Sequence, residues 1–299
     1  MMEMPVNHFK AGLREGRQQI GLWSTLSTAF AVEVVAGAGF DWLLLDTEHS
    51  PGDVLTVMAQ LQALAGFNVS AVVRPAANDP VLIKRFLDVG AQSLLIPYVQ
   101  SADEARAAVE ATRYPPDGIR GVSALTRATN FGRVKDYSQR AADEIALLVQ
   151  VETQAGLDAI EAIAAVEGVH GIFVGPGDLA ASLGHIGDLK HSKVVTAVED
   201  AIARIVATGK PAGILTGDAD FARRCMTLGS TFTAVGVDVG LLARAADELA
   251  VTPAAVGPGG MRSRGGVATR VGGLHRVDRV RRGRREARLR RKSEVQADA

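Results

Sequence analysis

Two acids in this 299-residue chain stand where chemistry is easiest to perform. Glu152 closes the apolar run IALLVQVE, and Asp178 follows a second such run in GVHGIFVGPGDL. A short apolar run bounded by turn residues reads as a fully buried strand, and a carboxylate just past it sits at the strand's carboxyl end, facing a loop. Two hard carboxylates with no neighbouring His-x-x-His or Cys pair suit an oxygen-preferring divalent ion, Mg²⁺, Mn²⁺ or Co²⁺, with positions left for water or substrate oxygens. The plainer alternative is that each acid caps the helix that follows it. Two more residues join them by position. His49, in DTEHS, lies just beyond a buried strand, where an imidazole can move protons near neutral pH, and Arg74 ends the adjacent strand as a fixed cation.

These groups share a rim only if their strands lie side by side and parallel, and the chain repeats the unit that would arrange this. QIGLW (19–23), DWLLLD (41–46), VSAVVR (69–74), AQSLLIP (91–97), IALLVQVE (145–152), HGIFVG (170–175), PAGILT (211–216) and FTAVGV (232–237) read as strands. Helical spacing follows them: AFAVEVVAGAG after an N-cap at Ser27 or Thr28, then residues 53–65, 79–89, 102–113 and 136–143. One helix is expected over TQAGLDAIEAIAAVEG, and others over 191–208, 218–228 and 239–250. Eight strands alternating with eight helices in roughly 250 residues indicate an α/β fold, a (β/α)8 TIM barrel, with its chemistry at the carboxyl rim. A doubly wound sheet is the alternative, disfavoured by eight evenly spaced units. The rim then holds Trp23, Asp46, Glu48, His49, Arg74, Pro97, Gln150, Glu152, Gly175 to Asp178, Thr216 and Asp238. The stretch YPPDGIRGVSALTRATNFG is too long for a tight turn and reads as a functional excursion.

Composition agrees with this architecture. A hydrophobic share of 47% with only 5% aromatic residues suits packed parallel strands and helices better than a sandwich. No apolar run reaches the roughly 18 residues of a membrane span, no secretory signal is evident at the start, and one cysteine, Cys225, fits a reducing compartment, so a cytoplasmic protein is expected. Cys225 sits in the helical FARRCMTLG and reads as a buried, inert thiol. The balanced formal charge hides an asymmetry: residues 261–299 carry 13 Lys and Arg against 4 Asp and Glu, leaving 20 against 29 in residues 1–260. The barrel domain is therefore placed at 1–255, and 256–299 as an arginine-rich, disordered tail. Nucleic-acid binding by that tail is the weaker reading, because aromatic residues are not interleaved with the arginines. No lysine ends a strand, which disfavours Schiff-base chemistry. No GxGxxG follows the first strand, and GxxxxGK[ST] and GxSxG are absent, so dinucleotide, P-loop and serine-hydrolase readings have no support.

Together DTEHS, VVRPAANDP, RYPPDGIRGVS, LVQVET and IFVGPGDLAASLG resemble the HpcH/HpaI aldolases, from about Phe9 to Ala250. The resemblance implies a metal-dependent pyruvate aldolase that cleaves 4-hydroxy-2-oxo acids to pyruvate and an aldehyde through a metal-stabilised enolate, in a hexamer built from dimers. It implies Glu152 and Asp178 as metal ligands, His49 as base, Arg74 as the enolate-stabilising cation, and Asp88 as the acid raising the histidine's basicity. Gln150, Gly177 and Asp178 become substrate contacts. GIRGVSALTRATNFG and the GHIG loop look more like 2-dehydro-3-deoxyglucarate aldolases than 4-hydroxy-2-oxoheptanedioate aldolases, which remain the alternative; a non-catalytic metabolite-binding barrel is more distant. Thr47 departs from the family's DGEH, with an expected effect on the pocket at that turn.

Overall fold

The computed structural model describes residues 2–251. Its strands are β1 (Gln19–Ser24), β2 (Trp42–Asp46), β3 (Ser70–Arg74), β4 (Ser93–Ile96), β5 (Ala146–Val151), β6 (Gly171–Val174), β7 (Ala212–Leu215) and β8 (Ser230–Val237). All pair in parallel with their sequence neighbours, and β1 pairs with β8, so the barrel closes as expected for a (β/α)8 fold. The helices are α1 (His8–Arg14), α2 (Ala29–Ala36), α3 (Val54–Leu64), α4 (Pro80–Asp88), α5 (Ala102–Thr112), α6 (Tyr137–Glu144), α7 (Gln154–Asp158), α8 (Ile160–Ala164), α9 (Pro176–Ser182), α10 (Ser192–Ala207), α11 (Ala219–Thr227) and α12 (Asp238–Val251). Most are started by a side-chain cap, such as Asp53 accepting from the Thr56 N–H at 2.8 Å and Ser101 accepting from the Glu104 N–H at 3.2 Å. Residues through Ala245 form one compact unit; the expected domain end at 255 and the tail 256–299 lie outside the described residues.

Inside the barrel Trp23, Trp42, Leu44, Val72, Leu95, Leu148, Phe173 and Phe232 pack into a solid core. The space is tight enough that a Cβ on Gly213 would collide with the Phe232 ring. Phe9 of α1, fully buried, closes the amino-terminal mouth against Trp42 and Phe232, with ring centroids 5.6 and 5.9 Å away. A larger apolar layer lies between strands and helices, and it includes Cys225, whose thiol burial pushes up to about 11, as expected for an inert side chain.

Three features differ from the sequence reading. The short α1 and α9 have too few turns to show a helical period, and α9 begins in Gly-Pro-Gly-Asp, which reads as loop. The single helix expected after β5 is two, broken at Ala159, whose N–H is shared between the Ala155 and Gly156 carbonyls at 3.2 Å each, a local tightening of the ladder.

Asp238, at the carboxyl end of β8, holds the loop after β1. It accepts from Ser24 Oγ (2.9 Å), the Thr25 N–H (2.8 Å) and Oγ (3.0 Å), the Leu26 N–H (3.2 Å) and the Val239 N–H (2.7 Å). Truncating it leaves several donors without partners, so Asp238→Ala is expected to lower stability by about 2–4 kcal/mol in urea titration. A change under about 0.5 kcal/mol would mean that water replaces it.

Candidate active site

Register brings the first pair together. Asp46 and Arg74 are partners across β2 and β3, each the last residue of its strand. The guanidinium grips the carboxylate bidentately, Nε to Oδ1 at 2.8 Å and Nη2 to Oδ2 at 2.7 Å, and its third nitrogen lies 2.8 Å from Glu48 Oε2, out of line for a hydrogen bond. Arg74 is 5% exposed and lies 5.0 Å over the Trp23 ring, whose indole N–H points at Asp46 Oδ2 from 3.4 Å. Burial acts to raise the Asp46 carboxyl, but the bonds and charge of Arg74 outweigh it and hold the group below its usual range. Glu48 goes the other way: burial raises it, and Arg74 and His49 only partly offset this. Asp46 is the residue whose role sequence reasoning missed; the signal was an acid and an arginine ending consecutive strands.

Thr47 sits in this turn without strain. It does not adopt positive φ, and both its N–H (3.0 Å) and its hydroxyl (2.7 Å) donate to the Arg74 carbonyl. The threonine hydroxyl thus braces the strand that carries Arg74.

His49 stands at the mouth with a side chain 64% exposed, 3.9 Å from Glu48 Oε2. Asp88 is not beside it. A helix following a barrel strand runs back to the opposite rim, so the last residue of α4 ends at the amino-terminal side, where Asp88 Oδ1 accepts from Arg120 Nη2 at 2.9 Å. Arg120 is itself fully buried over Tyr114 and ties the excursion between α5 and α6 to α4. Within one chain the expected Asp88–His49 partnership is therefore absent.

Glu152 and Asp178 do share the rim. Glu152 is 2% exposed, accepts from the Tyr98 N–H at 2.8 Å and from the Gln150 amide, and is not a helix cap: Thr153 does that work for α7. Tyr98 takes a left-handed backbone, φ 57°, to present that N–H. Burial, which these two hydrogen bonds only partly offset, raises Glu152 to about 7, and the nearby charges of Glu48 and Asp178 add to the rise. Asp178 lies in the first turn of α9, whose Gly175 N-cap gives no side-chain bond, and the N–H groups of Gly177 and Asp178 have no partner among the described residues.

The donor set fits an oxygen-preferring cation. Gln150 Oε1 is buried with no hydrogen bond, and a Cβ on Gly175 would strike both Glu152 and Gln150, so the glycine keeps a space in front of them. Gly177 faces open space. Among the described residues no group of three or more His, Cys, Asp or Glu side chains is placed to hold a metal ion; two carboxylates by themselves would leave coordination positions for substrate oxygens.

A family profile described as HpcH/HpaI aldolase/citrate lyase matches residues 19–245. A pyruvate aldolase of Rhizobium etli is 65% identical over 249 residues, 83% of this chain and 98% of the relative. A 4-hydroxy-2-oxo-heptane-1,7-dioate aldolase of Escherichia coli is 55% identical over 245 residues, 82% and 94% of the two chains. The crystal structure of an HpcH/HpaI aldolase/citrate lyase family protein from Burkholderia cenocepacia superposes with a TM-score of 0.79 at 43% identity, covering 82% of this chain and 98% of that one.

Proposed function

The chain belongs to the HpcH/HpaI aldolase/citrate lyase family of carbon–carbon lyases, and from that membership we propose that it is a divalent-metal-dependent pyruvate aldolase, cleaving a 4-hydroxy-2-oxo acid to pyruvate and an aldehyde. The observation that carries the metal reading is the buried Glu152 carboxylate: none of the strongest influences on it is a basic side chain, and the unpartnered Gln150 Oε1 lies beside it.

Glu152 and Asp178 would hold the ion, Mg²⁺, Mn²⁺ or Co²⁺, and a bound divalent ion supplies Lewis-acid polarisation of the 2-oxo group. The free N–H groups of Gly177 and Asp178 receive the substrate carboxylate, and Gln150 orients the pyruvyl end. His49 takes the proton of the C4 hydroxyl as the C3–C4 bond breaks, releasing the aldehyde. Arg74, fixed by Asp46, sets positive charge against the enolate that remains. Protonation at C3 then yields pyruvate.

For the aldehyde end we favour a 2-keto-3-deoxy sugar diacid such as 2-dehydro-3-deoxyglucarate, on the GIRGVSALTRATNFG and GHIG segments. The second reading, 4-hydroxy-2-oxoheptanedioate cleaved to pyruvate and succinate semialdehyde, is favoured by the E. coli relative of that name. A cytoplasmic hexamer built from dimers completes the proposal; no helix among the described residues is long and apolar enough to cross a membrane. Asp88 reaches a His49 only across a contact between copies.

The test is a panel of 4-hydroxy-2-oxo acids assayed for pyruvate release with each ion, in the wild type and in His49→Ala. Release that stops with chelator and falls at least about a hundredfold in His49→Ala is expected. Full activity in that variant would remove the base assignment, and the best substrate of the panel decides between the two readings.

A further inference from the structure

We propose that the amino-terminal mouth of the barrel carries a second binding site, for a small polyanionic metabolite bearing phosphate or carboxylate groups, between α1 and the turns that lead into β6, β7 and β8. A cavity of about 450 Å³ opens there, lined by Lys10, Arg14, His170, Lys210 and Thr231 among others, with no Asp or Glu among the described residues of its wall. It lies on the rim opposite His49, Arg74 and Glu152, so it stands independently of the aldolase reading.

The wall offers donors. Lys10 Nζ spends one N–H on the Ala142 carbonyl (2.9 Å) and Lys210 Nζ one on the Val169 carbonyl (2.6 Å), which leaves two on each ammonium. His170 Nδ1 accepts from the Leu147 N–H at 3.1 Å, so the neutral ring carries its proton on Nε2, which makes no hydrogen bond among the described residues. Thr231 Oγ is buried without a partner. Arg14, at the end of α1, adds an exposed guanidinium. Two lysine ammoniums, a guanidinium, a ring N–H and an unpaired hydroxyl lining one cavity recognise negative charge.

The electrostatics agree. Burial lowers Lys210, and it lowers Lys10 against the opposing pull of Glu144 and Asp143. His170 falls to about 4, through burial first and then the charges of Lys10 and Lys210. Neither Glu144 nor Asp143 lines the cavity, and Glu144 already accepts from the Asn7 N–H at 2.6 Å. A bound polyanion would offset this repulsion and join α1, whose Phe9 plugs the barrel, to the starts of three strands.

The experiment is calorimetric titration of the full chain with inorganic phosphate and, separately, with succinate, in the wild type, Arg14→Glu and Lys210→Ala. Arg14 is exposed, so its replacement leaves the fold in place, which thermal melting without either probe checks. Saturable binding of at least one probe, with Kd weakened tenfold or more in both variants, is expected; the better probe tells a phosphorylated ligand from a carboxylate one. Absence of binding by both probes, or affinity unchanged in the two variants, would overturn the proposal.

Discussion

Glu152→Gln is expected to lower kcat/KM for pyruvate release about a thousandfold or more while leaving the metal-free protein more stable than the wild type above pH 7. The amide is nearly isosteric and can still accept from the Tyr98 N–H, so the fold should persist. What disappears is the negative charge proposed to hold the ion. The stability change has the opposite sign to the activity change because the folded protein raises this carboxyl from 4.5 to about 7. A carboxyl whose folded pKa is raised contributes its stability in full below the unfolded value and loses it as pH rises through the folded one. The wild type without metal therefore weakens between pH 4.5 and 7, by up to about 3 kcal/mol, and the glutamine variant does not. Urea titrations of both proteins at pH 5 and pH 8, in chelator, measure the difference. Equal stability at both pH values would mean that Glu152 is better solvated than its 2% exposure implies.

Arg74→Met is the second large effect, and it acts on fold and chemistry at once. The substitution keeps much of the aliphatic stem beside Trp23 but strips the buried Asp46 and the half-buried Glu48 of their cation. Removing one partner of a buried ion pair costs about 3–5 kcal/mol, because the charge left behind has neither water nor counterion. The pH dependence identifies the cause. Asp46 is held below its usual value, so its contribution is present above the unfolded value of 3.8 and is lost as pH falls. The penalty of the variant should therefore shrink toward acid pH, where Asp46 can protonate. Retro-aldol kcat should fall about a hundredfold or more even under conditions where the variant is folded, since the cation proposed to face the enolate is gone. Arg74→Lys should recover part of the stability and little of the rate, because one ammonium cannot reproduce the fork on Asp46. A folded Arg74→Met with near wild-type kcat would separate the arginine from the chemistry.

The barrel was legible because parallel strands buried on both faces read as apolar runs, and each run between 19 and 237 ends within one or two residues of an observed strand. The carboxylates at strand ends followed directly. The Asp46–Arg74 fork was harder to see, since it depends on which strands are neighbours and in what register, and single runs carry no information about that. The alternative in which Glu152 caps a helix also looked sound, until Thr153, one residue on, proved to hold the cap. The break at Ala159 had no local signal, alanine being the best helix former, and it belongs to the packing of two short helices. Asp88 illustrates the reverse case. Its expected place beside His49 came from resemblance, while the direction of α4 alone carries it to the other rim.

Glu152, Asp178, Gln150 and Arg74 are proposed to form a mouth that stabilises the enolate of pyruvate with the help of a divalent ion, whatever aldehyde is released. Exchange of the pyruvate methyl protons in D₂O, followed by proton NMR, tests this without any choice of substrate. Loss of the methyl signal that requires both the protein and the divalent ion, stops on adding chelator and is absent in Glu152→Gln is the expected result. Enzyme-dependent exchange that continues unchanged in chelator, or in Glu152→Gln, would contradict it.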